Sequence, residues 1–234
     1  MYDPCVYPAS FSDTHGDGLR NIDGITANLD YLLGSAFLKA HRTIWAMIFQ
    51  TINEIHRPFG TMDDVYRLID ELKRRRMNLV MDLVVVNHTS THHSWFIDSA
   101  LSKKPPNSWA CLLDDTQSAW TYHSGTDEYY LSLFSLSQAD INWENPRGGG
   151  VHEIARFWLE KGISGFRMDV INLISKDQKL FPDAEIVYSN KKYQPGDKYF
   201  ANGARLFEYL QEIERLVFSK YDIRHPHGGR DAIP

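Results

Sequence analysis

The stretch Gly165-Phe166-Arg167-Met168-Asp169-Val170-Ile171-Asn172 decides how the rest of this sequence is interpreted. Apolar and polar residues alternate around it, which predicts a β-strand from Ile163 to Ile171. A strand has a period of two, so Arg167 and Asp169 are expected to share one face of the sheet. The sequence therefore predicts a guanidinium group beside a carboxylate at the end of a strand.

The spacing of Arg167 and Asp169 is compatible with two roles. A carboxylate held beside a guanidinium stays ionised at neutral pH, as a carboxylate nucleophile requires. A buried ion pair that only stabilises the fold would show the same spacing. The residues alone leave these two interpretations about equal.

Two helix–strand units predict the fold class. Thr61 and Asp64 form a capping-box pattern before an amphipathic helix, and the apolar run Leu79–Val86, interrupted by Asp82, is typical of a buried parallel strand. A second apolar stripe extends from Val151 to Leu159 and is followed by Gly162, a plausible helix cap, and then by the strand described above. Helix and buried strand alternate in this way in α/β folds with a parallel sheet.

Three further segments complete the organisation of the chain. Residues from Thr89 to Gly150 are polar and aromatic and break the alternation, so they are interpreted as an insertion after a strand. A stripe that begins at Leu206 and ends at Val217 predicts a further helix. The tail from Arg224 to Pro234 has no periodicity.

Composition excludes several classes of function. The 234 residues have a formal net charge of -5 and a pI near 6.0, which does not favour binding to nucleic acid or to an anionic membrane. No apolar run of about 18 residues predicts a membrane span. Two separate cysteines, Cys5 and Cys111, and an N-terminus without a signal-peptide pattern predict a cytoplasmic protein.

The stretch around Asp169 resembles the nucleophile strand of the α-amylase family, glycoside hydrolase family 13, and more narrowly its oligo-1,6-glucosidase and maltase branch. Other stretches resemble motifs of the same family in the same order along the chain. They are Tyr7-Pro8-Ala9-Ser10-Phe11, residues 13–21, Phe59-Gly60-Thr61-Met62-Asp63-Asp64, residues 82–89, Gln138-Ala139-Asp140-Ile141-Asn142-Trp143, residues 199–203 and residues 206–213. The resemblance covers most of residues 5 to 222.

The resemblance implies a partial (β/α)8 barrel, made of about the first four strands, with a small domain inserted after the third strand. The expected boundaries are 1–88 for the first part of the barrel, 89–149 for the inserted domain, 150–223 for the resumed barrel and 224–234 for a tail that does not match. Catalytic groups of such barrels lie at the C-terminal ends of strands.

The resemblance also implies a function and a set of site residues. Asp169 would be the nucleophile of a retaining α-glucosidase that removes terminal glucose from small α-glucosides such as maltose or isomaltose, and no cofactor would be required. Arg167 would orient the nucleophile, His88 would bind sugar hydroxyls, and Gln138 and Asn87 would line the pocket. His88 by itself would also fit a structural histidine, and Asn87-His88-Thr89 also matches an N-glycosylation sequon.

A loop near the N-terminus resembles the one that binds a structural calcium ion in the family. Asp13, Asp17 and Asn21 would supply oxygen ligands, which suit calcium. His15 and Asn21 stand where the family usually has asparagine and aspartate, and loss of a carboxylate weakens a site for a hard cation. A polar turn without metal is the alternative.

The sequence departs from the family in two respects that bear on activity. Retaining glycosidases need two carboxyl groups, and we find neither the family's acid motif nor its later Asn-His-Asp. The segment with Ile44-Trp45 is interpreted as a remnant of the second barrel strand, without the family's sugar-binding Tyr-Asp. We therefore expect this chain by itself to be inactive, and a non-catalytic, sugar-binding remnant of the family is the alternative function.

Overall fold

A computed structural model describes most of the chain and divides it into two compact units, each of which is described by itself. The first unit comprises Met1–Leu83, Gly150–Asp169 and Ile213–Pro234, and the second comprises Val84–Gly149 and Val170–Glu212. The described residues are 5–14, 16, 18, 20–34, 43–46, 55, 57–83, 86–91, 96, 117–125, 127–144, 150–176 and 185–221.

The described residues form short strands, α-helices and 3-10 turns. The strands are β1 Cys5–Val6, β2 Thr43–Ala46, β3 Asn78–Leu83, β4 His88–Ser90, β5 Trp120–His123, β6 Glu128–Leu131, β7 Gln138–Asp140 and β8 Gly165–Met168. The α-helices are α1 Pro8–Phe11, α2 Ile22–Ala27, α3 Leu29–Gly34, α4 Met62–Arg74, α5 Gly150–Lys161, α6 Asp197–Phe200 and α7 Leu206–Leu216. The 3-10 turns are Arg57–Phe59, Ile171–Leu173 and Phe218–Lys220.

The first unit contains a parallel sheet, as the alternation of helices and strands predicts. Its strand order is β1-β2-β3-β8, and each neighbouring pair is parallel. Ile44 and Trp45 lie in β2, which agrees with their interpretation as part of a barrel strand. In the register of β3 and β8, Asp82 lies opposite Arg167, so the sheet itself brings these two residues together.

Helix α4 begins as the sequence predicts. Thr61 is the N-cap, and its hydroxyl accepts a hydrogen bond from the Asp64 backbone N–H while the Asp64 carboxylate accepts one from the Thr61 backbone N–H at 2.7 Å. The apolar stripe of the helix is buried within the first unit; it comprises Val65, Leu68, Ile69 and Leu72. Lys73 and Arg74 lie in the last turn, where the helix dipole favours cations.

We expect the substitution Thr61→Ala to lower the free energy of unfolding by about 1 kcal/mol, because the Asp64 backbone N–H at the start of α4 loses the hydroxyl that caps it. For a chain of this length the melting temperature should fall by about 2–4 °C. Thermal unfolding followed by circular dichroism would measure the change. Thr61→Ser keeps the hydroxyl and should melt close to wild type; equal melting of both variants would contradict the assignment of the cap.

Helix α5 also agrees with the sequence. Its predicted stripe is buried and comprises Val151, Ile154, Ala155, Trp158 and Leu159. Gly162 follows with a φ of 101°, a left-handed conformation that glycine adopts without steric strain. The predicted helix end at Gly162 is therefore confirmed.

Two strands of the first unit, β3 and β8, are shorter than predicted. The run Leu79–Val86 was expected to be one strand, but β3 ends at Leu83, and residues 84 and 85 lie outside the described residues. The run from Ile163 to Ile171 forms a strand only over Gly165–Met168. The reason is Val170, whose left-handed backbone, with φ 46° and ψ 37°, turns the chain out of the sheet. Apolar alternation alone does not reveal such a turn.

The second unit contains two antiparallel strand pairs, β4 with β7 and β5 with β6. A buried cluster holds the β5–β6 hairpin; it consists of Ala119, Trp120, Leu131, Leu133, Leu173 and Phe200, and is called here the hairpin cluster. This unit takes in residues 170–212 as well as residues 84–149, which include the whole segment 89–149 that the sequence predicts to be inserted. Pro105, Pro106, Trp109 and the tail from Arg224 lie outside the described residues.

Among the residues that the structure describes, none of the helices has the length and apolar character needed to cross a bilayer.

Candidate active site

Three charged side chains of the first unit form a chain of ion pairs, called here the carboxylate–guanidinium chain: Asp82, Arg167 and Asp169. Arg167 Nη1 donates to both carboxylate oxygens of Asp82 at 2.9 and 3.1 Å, and Arg167 Nη2 donates to Asp169 Oδ1 at 2.8 Å. The Asp82 side chain has no exposed surface, whereas the side chain of Asp169 is 35% exposed. The predicted meeting of Arg167 and Asp169 is thus confirmed.

The fold explains why these three side chains meet. Asp82 and Arg167 are opposite each other in the parallel register of β3 and β8. Asp169 is two residues beyond Arg167 and lies just after the last residue of β8, Met168. Burial opposes the charge of Arg167, but its bonds to Asp82 and Asp169 outweigh that effect and raise the pKa of the guanidinium above its usual value. Arg167 is therefore a permanent cation that holds one buried and one accessible carboxylate.

The carboxylate–guanidinium chain has the properties expected of an oriented nucleophile. Arg167 is fixed by Asp82, and it in turn fixes one oxygen of Asp169, so the other oxygen keeps a defined direction. A partly exposed, oriented and charged carboxylate is suited to attack on an electrophilic carbon. The exposure of Asp169 distinguishes it from Asp82, which the protein buries completely.

In the second unit, the structure brings two other predicted site residues together. His88 and Gln138 lie on the paired strands β4 and β7, and Gln138 Nε2 is 3.1 Å from His88 Nε2. Ser135 Oγ donates to Gln138 Oε1 at 2.9 Å, so the amide nitrogen is the atom that faces His88. Gln138 then donates to His88 Nε2, which places the imidazole proton on Nδ1 in the neutral ring. Phe134 packs on the same ring at 5.4 Å between centroids.

A buried cluster that the sequence reasoning missed lies in the same unit. Lys176 Nζ donates to Asn87 Oδ1 at 2.7 Å and to the Leu173 carbonyl at 2.6 Å, and it is 3.1 Å from Asp140 Oδ1. Asn87, Asp140 and Lys176 are called here the lysine cluster. The side chains of Lys176 and Asp140 are only 3% and 2% exposed.

The charged groups of the lysine cluster interact with one another and with neighbouring polar groups. Three oxygen acceptors surround the ammonium group of Lys176, which has three N–H donors. Burial lowers the pKa of Lys176, and the carboxylate of Asp140 opposes that shift. Asp140 also accepts hydrogen bonds from Asn87 Nδ2 at 2.8 Å and from the Leu133 backbone N–H at 3.0 Å. An isolated Lys176 in the sequence gives no sign of this arrangement, since its partners are 36 and 89 residues away along the chain.

Both the nitrogen and the oxygen of the Asn87 side-chain amide form a hydrogen bond within the lysine cluster. Its Nδ2 donates to Asp140, its Oδ1 accepts from Lys176, and the residue has no exposed surface. The sequon Asn87-His88-Thr89 is therefore buried in the folded protein and not accessible for glycosylation. A direct contact between Asn87 and a sugar stays a prediction; in the structure the residue supports β4, which begins with His88.

The loop predicted to bind calcium shows the bonding of a polar turn in its described part. Asp13 accepts hydrogen bonds from the backbone N–H groups of Gly16 and Gly18 at 2.8 and 2.9 Å. Asn21 caps α2 by accepting from the Gly24 backbone N–H at 2.8 Å. Asp17 lies outside the described residues, and the described part of the chain contains no group of three or more His, Cys, Asp or Glu side chains able to hold a metal. Binding of calcium by this loop stays a prediction.

Comparison with known proteins identifies the family. The model of the α-amylase catalytic domain matches residues 5–227. The chain belongs to the α-amylase family. This family comprises glycoside hydrolases, so the resemblance inferred from the ordered motifs is confirmed, and the sheet of the first unit is a fragment of the family's (β/α)8 barrel.

Relatives of known activity cover nearly the whole chain. The chain is 46% identical to an oligo-1,6-glucosidase of Parageobacillus thermoglucosidasius and 39% identical to an α-glucosidase of Schizosaccharomyces pombe. The crystal structure of trehalose-6-phosphate hydrolase from Bacillus licheniformis superimposes with a TM-score of 0.80 at 39% identity. In each case the match takes in 93% of this α-amylase-family chain and 42% of the relative, so the chain spans less than half the length of these relatives.

Proposed function

We propose that this chain carries the nucleophile part of a retaining α-glucosidase. The observation that carries the proposal is the 2.8 Å hydrogen bond from Arg167 to Asp169 within a motif that resembles the family's nucleophile strand. Asp169 is the nucleophile and Arg167 orients it. His88 and Gln138 bind sugar hydroxyls. Asn87, the residue directly before His88, is assigned to the same sugar-binding site.

The proposed fold follows the family. The four parallel strands are the first four of the barrel, and the segment after the third strand is a small inserted domain. The proposed substrates are small α-glucosides with a terminal glucose, such as maltose or isomaltose, since similar proteins include oligo-1,6-glucosidases and an α-glucosidase. We also propose that the protein is cytoplasmic and has no nucleic-acid or membrane partner.

Formation of the covalent intermediate is the step that the described residues support. An oxygen of Asp169 attacks C1 of the glucosyl unit, the bond from C1 to the leaving oxygen breaks, and a β-linked glucosyl ester forms. The leaving oxygen of a natural glucoside needs a proton from a second carboxylic acid. The sequence contains no match to the family's acid motif, so the proposal includes that this chain alone does not hydrolyse maltose.

A substrate whose leaving group needs no proton allows the nucleophile role of Asp169 to be tested separately from the expected inactivity toward maltose. In 5-fluoro-α-D-glucosyl fluoride the C1–F bond breaks with departure of fluoride, and the fluorine on C5 slows hydrolysis of the resulting ester. We expect intact-mass spectrometry of the chain to show one added fluoroglucosyl group, located on Asp169 by peptide mapping, while maltose releases no glucose. Absence of any label would refute the nucleophile assignment, and release of glucose from maltose would refute the expected inactivity.

A further inference from the structure

Val170, the residue directly after Asp169, has an unusual backbone conformation. Its φ of 46° and ψ of 37° are left-handed, a region that β-branched residues strongly avoid. Three other described non-glycine residues have positive φ: Arg76, Asp127 and Asn202. Aspartate and asparagine tolerate this conformation, and Arg76 directly follows the C-cap of α4. A left-handed valine is the conformation that needs an explanation.

The surroundings of Val170 hold it in this conformation. Its carbonyl accepts a hydrogen bond from the Leu173 backbone N–H at 2.9 Å, which closes the 3-10 turn Ile171–Leu173. Its side chain packs against the hairpin cluster, which contains Leu173. An apolar contact thus accompanies a β-branched side chain at a position where the backbone disfavours one.

A second segment fixes the turn from outside. The backbone N–H of Asn202 donates to the Asn172 carbonyl at 2.7 Å, and that of Gly203 donates to the Ser175 carbonyl at 3.1 Å. A Cβ atom on Gly203 would lie 2.4 Å from the Ser175 oxygen, so the two segments approach as closely as their backbones allow. Strained backbone persists only when its surroundings determine it in this way, and such strain concentrates at functional sites.

We propose that Val170 is a positioning residue, whose left-handed backbone fixes the direction in which Asp169 presents its carboxylate. Asp169 lies between Met168, which is held in the β3–β8 ladder, and Val170, which is held by the turn. Glycine would form the same turn without strain but would also leave other conformations accessible. The turn bond and the hairpin cluster exclude the extended conformation that valine otherwise prefers, so the backbone next to Asp169 keeps one conformation. The inference rests on the proposed role of Asp169 as a nucleophile and concerns the backbone of Val170 rather than any contact of its side chain with a sugar.

The variants Val170→Gly and Val170→Ala test the strain. Both remove the packing of the isopropyl group, but only alanine retains the Cβ atom that makes the left-handed conformation unfavourable. We expect the glycine variant to melt about 2–6 °C above the alanine variant. In an ordinary extended or helical conformation the order would be reversed, because glycine there destabilises relative to alanine. A reversed or equal order would overturn the inference.

The same two variants test the positioning of Asp169. We expect Val170→Gly to react with 5-fluoro-α-D-glucosyl fluoride at least about tenfold more slowly than Val170→Ala, although it is the more stable of the two. A purely structural role would predict the opposite order or no difference in rate. Equal labelling rates would therefore overturn the positioning role while leaving the strain intact.

A wild-type chain that does not react at all would refute the proposed function, and the inference would then be judged by the melting order of Val170→Gly and Val170→Ala. An alanine variant at least as stable as the glycine variant would overturn the inference independently of any reaction.

Discussion

The substitution Asp169→Asn should lower the rate of labelling by 5-fluoro-α-D-glucosyl fluoride by on the order of a thousandfold or more. Asparagine has nearly the shape of aspartate and can still accept a hydrogen bond from Arg167 through its amide oxygen. It lacks the charge that a nucleophile needs to form the glucosyl ester. The predicted loss of labelling rate therefore reports on the charge of the Asp169 carboxylate within the carboxylate–guanidinium chain.

The expected stability of Asp169→Asn strengthens this test. Asp169 and Arg167 are both partly exposed, so loss of this ion pair should change stability little after screening by solvent. The bidentate contact of Arg167 with the buried Asp82 remains. Rates measured by mass spectrometry, together with unchanged melting, would show that the variant is folded but unreactive. Asp70→Asn removes an exposed carboxylate on α4 and should label at the wild-type rate. If Asp169→Asn labelled as fast as this control, another residue would be the nucleophile.

The substitution Lys176→Met should destabilise the protein by about 3–5 kcal/mol, the largest loss of stability that we expect from a single change. Methionine fills a similar volume without the ammonium group, so the carboxylate of Asp140 is left buried without its cation. Asn87 Oδ1 and the Leu173 carbonyl lose a donor in the same step. Urea denaturation would measure the free energy of unfolding.

The double variant Lys176→Met with Asp140→Asn distinguishes loss of charge balance from loss of packing. It removes both charges of the lysine cluster, so it should recover part of the stability that Lys176→Met alone loses. Lys220→Met changes an exposed lysine and should stay within about 0.5 kcal/mol of wild type. A double variant less stable than Lys176→Met would show that Asp140 is not stabilised by Lys176. If Lys176→Met is too unstable to purify, recovery of folded protein for the double variant but not for the single variant would support the same conclusion.

The fold was largely predictable from the sequence where local chemistry determines it. The cap at Thr61, the buried stripe of α5 and the glycine at position 162 follow from short-range patterns, and the structure confirms each of them. The ends of β3 and β8 were not predictable in the same way. Val170 leaves the sheet because of contacts with distant residues of the hairpin cluster, although its own intrinsic preference is for a strand.

The candidate site was predictable only in part, for a related reason. Arg167 and Asp169 are two residues apart, so the period of a strand was sufficient to bring them together. His88 and Gln138 were assigned to one site only through the family motifs, because 50 residues separate them, and their direct contact was not predicted. Lys176 was missed because its role depends on Asn87 and Asp140, and neither partner is close to it along the chain.

The contact between Asp82 and Arg167 joins residues 85 positions apart, and this separation has a consequence for how the protein folds. During synthesis, β3 leaves the ribosome long before β8, and at that stage a single aspartate interrupts its apolar sequence. Burying that carboxylate without a cation is unfavourable, so the charge opposes premature collapse of β3 against an apolar neighbour. Pairing with Arg167 balances this charge, so it favours the one strand and the one register that place the two residues opposite each other. The aspartate that holds Arg167 therefore also helps to specify how β3 and β8 pair.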